Sequence, residues 1–169
     1  MKTKKVVFLG FALGIALILS YIETLIPFGF GIPGIKLGLA NLIVLIILYM
    51  DMPKEAIMVS TARIILMGIL FGSLSSMIYA FAGGMLSFLG MFLLRRFNGF
   101  SPIGVSCFGG IIHNVGQLMV ASLIIRTNIF AFYIPYLLLS GLVTGLLIGV
   151  IGNTVLNRYS KLLTGWREA

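Results

Sequence analysis

The sequence is poor in charged and chemically reactive side chains. Charged residues make up 9% of the 169 residues, and only four of them are carboxylates. The whole sequence has one cysteine and one histidine. Cys107 has no second cysteine to pair with, which excludes a disulfide framework and a cysteine metal site. The sequence also has no Walker-type glycine loop, no His-x-x-x-His pair and no serine or cysteine beside a base. We therefore predict no catalytic residues, no metal site and no cofactor.

Long apolar runs dominate what is present. Hydrophobic residues make up 60% of the chain, and its mean hydropathy is +1.15. Between Val6 and Leu156 such runs recur about every 20 to 25 residues, the length with which a helix crosses a bilayer. They are continuous and do not alternate with polar residues, which argues against a transmembrane barrel. The pattern predicts an all-α integral membrane protein with a single domain over residues 1–169.

Prolines, glycines and charged residues divide the apolar sequence into six predicted helices. The basic amino terminus and its apolar stretch resemble a signal sequence, but no Ala-x-Ala site precedes Pro27, so we expect a retained first helix. Residues 27–37 are rich in proline and glycine and predict a structured external loop. Asp51 is the expected N-cap of the third helix. The predicted ranges are about 6–26, 38–50, 53–70, 74–94, 103–126 and 131–157.

The distribution of lysine and arginine predicts the orientation in the membrane. With the amino terminus inside, nine of these residues fall in inner segments, whereas Lys36 and Arg126 fall in outer ones. Short basic loops stay in the cytoplasm, so both termini are expected on the cytoplasmic side of the cell inner or plasma membrane. The net charge of +8 is then explained by topology and by attraction to anionic lipid of the bilayer. It does not indicate nucleic acid as a partner.

A few polar side chains fall at membrane depth, where an unpaired charge costs about 2.5 to 3.5 kcal/mol on insertion scales. We predict that they converge on one cavity open to the exterior and bind a small molecule there. Cations exceed carboxylates among them, which favours an anionic ligand with an apolar body. Two alternatives stay open: Glu23 pairs with Lys36 or Arg63, or His113 and Gln117 form an interhelical clasp. The candidate substrate-binding residues are Glu23, Lys36, Asn41, Arg63, His113, Asn114 and Gln117.

Three segments resemble a known bacterial membrane family. They are residues 32–42 (IPGIKLGLANL), residues 60–63 (STAR) and residues 108–117 (FGGIIHNVGQ). They resemble the family labelled either Gx transporter or heptaprenyl diphosphate synthase component I. That family is similar in size and layout to the S components of energy-coupling-factor (ECF) vitamin transporters. The resemblance implies a six-transmembrane-helix bundle, both termini inside, and a first external loop that covers an outward-facing ligand site.

The resemblance also implies a protein partner. In S components an Ala-x-x-x-Ala motif on the first helix docks on a transmembrane coupling subunit that works with two ATPases. Ala12 and Ala16 match that motif. The alternative is that these small residues only allow close helix packing within the chain.

Two main functional hypotheses follow. The first is a substrate-binding transport protein, similar to an ECF S component, that captures a vitamin, flavin or quinone precursor from outside. The second is a non-catalytic membrane accessory subunit of isoprenoid or heptaprenyl diphosphate synthesis. Prenyl synthases hold magnesium with two aspartate-rich motifs, and the sequence has one aspartate, Asp51, so we expect no enzyme activity from this chain alone. An ion-linked carrier is a third hypothesis, which the absence of inverted repeats disfavours.

Overall fold

The structure is a computed structural model, and it describes residues 2–25, 38–97, 99–125 and 130–159. The elements in these ranges are six α-helices, which we number in chain order. No strand occurs in the described residues. The helices are α1 (Lys2–Leu25), α2 (Asn41–Tyr49), α3 (Pro53–Phe71), α4 (Leu74–Arg96), α5 (Pro102–Ile125) and α6 (Phe130–Arg158).

The predicted number and order of helices are confirmed, and most boundaries lie close to the predicted ones. The amino-terminal helix begins at Lys2 rather than at about residue 6. The expected N-cap of α3 was wrong, because Met52 occupies that position and gives no side-chain hydrogen bond. Asp51 instead adopts a left-handed conformation with φ of 60° in the turn between α2 and α3. Its carboxylate pairs with the Arg95 guanidinium at the end of α4.

Four of the six helices are long and apolar enough to cross a membrane: α1, α4, α5 and α6. The other two do not meet that description. The nine residues of α2 rise about 14 Å, about half of a hydrocarbon core of about 30 Å. The 19 residues of α3 include Lys54, Glu55 and Arg63. The fold is therefore that of an all-α, multi-pass membrane protein. Length and composition identify four of its helices as possible transmembrane spans and do not identify α2 and α3 as such.

The short helix α2 lies at the centre of the bundle and contacts all five other helices. It is the most apolar of the six, and its buried side chains Val44, Leu45, Ile47 and Leu48 are each exposed by 1% or less. Around it α1 packs on α3, α3 on α4, α4 on α5, and α5 most extensively on α6. The central position of α2 explains its composition, since it meets protein side chains on every face.

The two ends of the bundle differ in charge. One end carries the amino end of α1, the start of α3 and the ends of α4 and α6, and it is rich in lysine and arginine. Polar contacts join these elements: Lys5 pairs with Glu55, and Arg95 donates to the Tyr49 carbonyl at 3.3 Å. The opposite end contains the last turn of α1, the turn between α3 and α4, and the candidate site.

Candidate functional site

A cavity of about 430 Å³ opens between α1, α3, α4 and α5 at the end of the bundle away from the basic residues. Its volume lies within the range of about 300 to 1,000 Å³ that is usual for small-molecule sites. The structure places five of the seven candidate substrate-binding residues in its wall. They are Glu23, Asn41, Arg63, His113 and Gln117.

The described wall of this cavity contains two basic side chains, Arg63 and His113. Arg63 is charged at every physiological pH. It projects from the middle of α3, and its Nη1 donates to Ser20 Oγ on α1 at 3.3 Å. Its Nε is buried and has no hydrogen-bond partner among the described residues. The Glu23 carboxylate acts electrostatically on the guanidinium. A guanidinium carries five N–H donors, so most of its donor capacity is not used by the described residues.

Glu23 is fixed by the turn that leads into α2. The Gly38 N–H donates to Glu23 Oε1 at 2.6 Å. Gly38 has φ of 67°, a left-handed conformation that glycine adopts without a steric penalty. The Gly38 carbonyl then accepts from the Asn41 N–H at 2.8 Å, which begins α2. This turn therefore brings the Glu23 carboxylate and the Asn41 side chain to the same wall of the cavity.

Two glycines of α4 bring the neighbouring helices close to the cavity. A Cβ atom on Gly83 would lie 2.9 Å from both Gln117 Cγ and the His113 carbonyl oxygen. A Cβ atom on Gly84 would lie 2.8 Å from Ile64 Cδ1 of α3. His113 and Gln117 are one helical turn apart, so the close approach at Gly83 directs both into the same wall. Gln117 is 9% exposed, and its Oε1 has no partner within the described part of the chain.

Asn114 does not line the large cavity, although it shares a smaller one with Asn41 and His113. It is 5% exposed and donates through Nδ2 to the Leu137 carbonyl at 2.6 Å and to Ser140 Oγ at 3.2 Å. It lines a second, much smaller cavity of about 20 Å³ between α2, α4, α5 and α6. Ser87 lines that cavity as well, and its buried Oγ has no hydrogen-bond partner in the described ranges. Asn114 thus joins α5 to α6, and its predicted ligand contact does not fall in the large cavity.

The remaining predictions concern Lys36 and two alanines of α1. Lys36, with the rest of the predicted loop over residues 27–37, lies outside the described residues. Ala12 and Ala16 are 5% and 0% exposed and belong to the hydrophobic core. A partner subunit could reach their side chains only if α1 separated from the helices it packs on. The contacts therefore favour the alternative of packing within the chain.

Several cavity residues were not among the predicted ones. Glu23 and Thr24 follow Ser20 by three and four residues, so the three side chains lie on one face of α1, and this polar stripe was a usable signal. Met67 and Met77 also line the cavity, and no feature of the sequence distinguishes them from core methionines. The additional lining residues are Ser20, Thr24, Gly38, Ile64, Met67, Gly68, Phe71, Gly72, Ser73, Ser76, Met77 and Ala80.

The lining is suited to binding a small molecule with a polar end and an apolar body. Arg63 offers N–H donors, the Glu23 carboxylate offers acceptors, and the amides of Asn41 and Gln117 offer both. The described carboxylates are dispersed, because Asp51 and Glu55 pair with cations at the opposite end of the bundle. In the described ranges no three His, Cys, Asp or Glu side chains come together in a group that could hold a metal ion.

Together, the fold and the cavity define a multi-pass helical membrane protein with an internal polar site of ligand size. The family model described as heptaprenyl diphosphate synthase component I matches residues 12–155. The chain therefore belongs to the heptaprenyl diphosphate synthase component I family. No curated protein and no solved structure gave a match.

Proposed function

We propose that the protein is a substrate-binding membrane protein of the transport class, which captures a small, partly apolar anion in the cavity lined by Arg63. This proposal rests on the burial of Arg63 and on the small number of its hydrogen bonds. Its guanidinium lies inside the bundle on the cavity wall, and the described residues give it one hydrogen bond. Charged groups at membrane depth are costly and mark ligand or ion pathways. A bound anion supplies the acceptors that Arg63 lacks.

The geometry of the guanidinium supports an anion in particular. Ser20 accepts from Nη1, so the edge formed by Nε and Nη2 is not used by that bond. Nε is buried, so Nη2 is the group of this edge that can donate a charge-assisted hydrogen bond to a carboxylate or phosphate in the cavity. Glu23 contributes an opposing charge on the same cavity wall, close enough to act on the guanidinium.

The proposal includes a six-span bundle with both termini in the cytoplasm. In this arrangement α2 lies among the other five helices and α3 lies between α1 and α4, so both complete the bundle formed with the four long apolar helices. The basic end then faces the cytoplasm, and the cavity opens outward. The resemblance to S components implies that the first external loop, residues 27–37, covers the bound ligand.

Uphill transport needs an energy source, and we propose the one that the resemblance to ECF S components implies: a coupling subunit with two ATPases. Ala12 and Ala16 are not proposed as its contacts, because both side chains are buried in the core. The test is whether uptake by cells depends on coexpression of a coupling module.

The test of the binding function starts from the protein purified in detergent, with mass spectrometry of the small molecules that copurify. We expect a bound anion with an apolar body in the unmodified protein and its loss from Arg63→Ala. Arg96→Ala is the matched control, because Arg96 is an exposed arginine at the opposite end. Retention of the compound by Arg63→Ala, or its equal loss from both variants, would contradict the assignment of the site.

The orientation can be tested with two cysteines placed at opposite ends of α4. In a Cys107→Ser background, Ser75→Cys lies in the exposed first turn of α4, and Phe97→Cys lies at an exposed position just after its end. A membrane-impermeant maleimide added to intact cells should label the cysteine at position 75 and spare the one at position 97. The reverse labelling pattern would place the cavity on the cytoplasmic side and end the proposal of capture from outside.

The family description favours a second candidate, a non-catalytic membrane subunit that serves heptaprenyl diphosphate synthesis. A prenyl diphosphate also combines an anionic end with an apolar body. This candidate predicts that deleting the protein changes the chain length or amount of polyprenyl products. Transport predicts that uptake of the copurifying compound changes and that the polyprenyl products stay the same.

A further inference from the structure

We infer that the cavity selects a ligand that combines one anionic group with a hydrogen-bond donor, and that it disfavours a diphosphate. The inference rests on the proposed function, because it takes the cavity lined by Arg63 as the binding site. It follows from the charge balance of the wall, from the acceptors that remain in it, and from its apolar part.

The first step is the charge of the described wall. Arg63 contributes one positive charge, and Glu23 contributes one negative charge close enough to act on it. A diphosphate brings more than one negative charge to this balanced pair, and burying excess charge away from water is unfavourable. A single carboxylate fits better, since it brings one negative charge, which the guanidinium binds through the donors that no described residue uses. The charge balance therefore favours a ligand with one acidic group.

The second step concerns acceptors. Gln117 lines the cavity wall, and its Oε1 is buried without a partner among the described residues; half a turn of the amide exchanges Oε1 with Nε2 and makes the oxygen available to a ligand. Glu23 Oε1 accepts from Gly38, and an ionised carboxylate has about four lone-pair sites, so acceptor capacity remains on Glu23 as well. A ligand that only accepts hydrogen bonds leaves these oxygens unpaired, which is costly for buried groups. A ligand with an N–H or O–H group near its acid satisfies them.

The third step is the apolar part of the wall. Met67 and Phe71 of α3 face the cavity together with Met77 and Ala80 of α4. These side chains form a region suited to an aromatic or branched hydrocarbon body, because methionine adapts its shape to such groups. The ligand class that fits all three steps is an aromatic or branched acid with an adjacent amide or hydroxyl donor.

Four probes, which differ in the acidic group, the hydrogen-bond donor and the number of negative charges, test the inference on the detergent-purified full chain. N-acetylphenylalanine has the acid and the donor, phenylpropanoate lacks the donor, and N-acetylphenylalaninamide lacks the acid. Geranyl diphosphate supplies the polyanion. We expect N-acetylphenylalanine to bind at least about tenfold more tightly than each of the others, as measured by the rise in the unfolding temperature with probe concentration.

Gln117→Met is the informative variant, because methionine keeps a similar length and apolar stem but removes the amide. We expect it to bring N-acetylphenylalanine and phenylpropanoate to similar affinities while leaving the affinity for phenylpropanoate close to its original value. Ser122→Ala, on an exposed face of the same helix, is the control and should preserve the difference between the two acids.

The inference is overturned if the two acids bind the unmodified protein equally, or if geranyl diphosphate binds most tightly. When that diphosphate binding is lost in Arg63→Ala, the proposed binding function still stands and the inference alone fails. If no probe binds, the compound that copurifies with the protein tests the inference. A compound that lacks either the acidic group or the hydrogen-bond donor overturns it. The absence of any bound compound together with the failure of all four probes overturns the proposed function as well.

Discussion

Asn114 of α5 donates through Nδ2 to the backbone carbonyl of Leu137 on α6 at 2.6 Å, within a bundle where these two helices make the most extensive contact. The same Nδ2 also donates to Ser140 Oγ at 3.2 Å. The carbonyl of Leu137 accepts from Ser140 Oγ as well, at 2.9 Å. This small network holds α6 against α5, and none of its three residues lines the large cavity.

We therefore predict that Asn114→Ala affects stability more than ligand binding. It removes both hydrogen bonds of Nδ2, and interhelical hydrogen bonds in membrane proteins contribute about 0.6 kcal/mol on average and up to about 1.7 kcal/mol. The unfolding free energy in detergent should fall by an amount in this range, with ligand affinity changed less than threefold, about 0.65 kcal/mol. A large loss of affinity in a variant of normal stability would return Asn114 to the ligand site.

The contact between α5 and α6 should tolerate no side chain at Gly145. A Cβ atom there would lie 2.6 Å from the Ser106 carbonyl oxygen and 2.7 Å from Cys107 Cα, and both are backbone atoms that cannot turn aside. Gly145→Ala should destabilise the protein by about 1 to 3 kcal/mol, the usual cost of overpacking.

Gly10→Ala is the matched control for that variant. A Cβ atom on Gly10 meets no other atom within 4 Å, and the residue lies within α1. Alanine is the better helix former by about 0.8 to 1.0 kcal/mol, so this variant should be neutral or more stable. Thermal unfolding of both variants in one detergent measures the difference, and equal unfolding temperatures would show that α5 and α6 are less closely packed than the structure has them.

Ser87→Ala should not lower stability. The Ser87 side chain is 1% exposed, and its Oγ has no hydrogen-bond partner among the described residues, so the hydroxyl contributes a desolvation cost. Ser140→Ala is the comparison, because its hydroxyl takes part in the Asn114 network. We expect the unfolding temperature of Ser87→Ala to equal or exceed that of the unmodified protein. A loss of more than about 1 kcal/mol would show that water in the small cavity bonds to Oγ.

The ion pair of Asp51 and Arg95 should contribute little to stability. The Asp51 side chain is half exposed, and exposed ion pairs are worth about 0 to 1 kcal/mol. Asp51→Gly removes the pair but also relieves the left-handed conformation at φ of 60°, so we expect a net change within about 1 kcal/mol. Asp51→Ala loses the pair and keeps the unfavourable conformation, and it should be the less stable of the two. Unfolding temperatures of the three proteins measure the loss of the ion pair and the relief of the backbone conformation. The unfolding temperature of Asp51→Gly should change less between low and high salt than that of the unmodified chain.

The sequence predicted the number, order and approximate bounds of the helices because these depend on local composition. Prolines at positions 53 and 102 begin helices, and Gly72 with Ser73 separates α3 from α4, where Ser73 and Ser76 form a capping box. It was less successful with Asp51. An aspartate before Met52 and Pro53 has the local pattern of a cap, but in the fold its carboxylate pairs with Arg95, which is distant in sequence, and Met52 takes the N-cap position.

The sequence by itself determined that this is a helical membrane protein with a small set of polar residues at membrane depth, because hydropathy and residue spacing are properties of the chain alone. The tertiary structure decided which of those residues share a cavity. His113 and Asn114 are adjacent in sequence, but successive residues are rotated by about 100° around a helix, so one faces the large cavity and the other faces α6. In the same way, Ala12 and Ala16 match a docking motif in the sequence, but the packing of α1 on its neighbours places both side chains in the core.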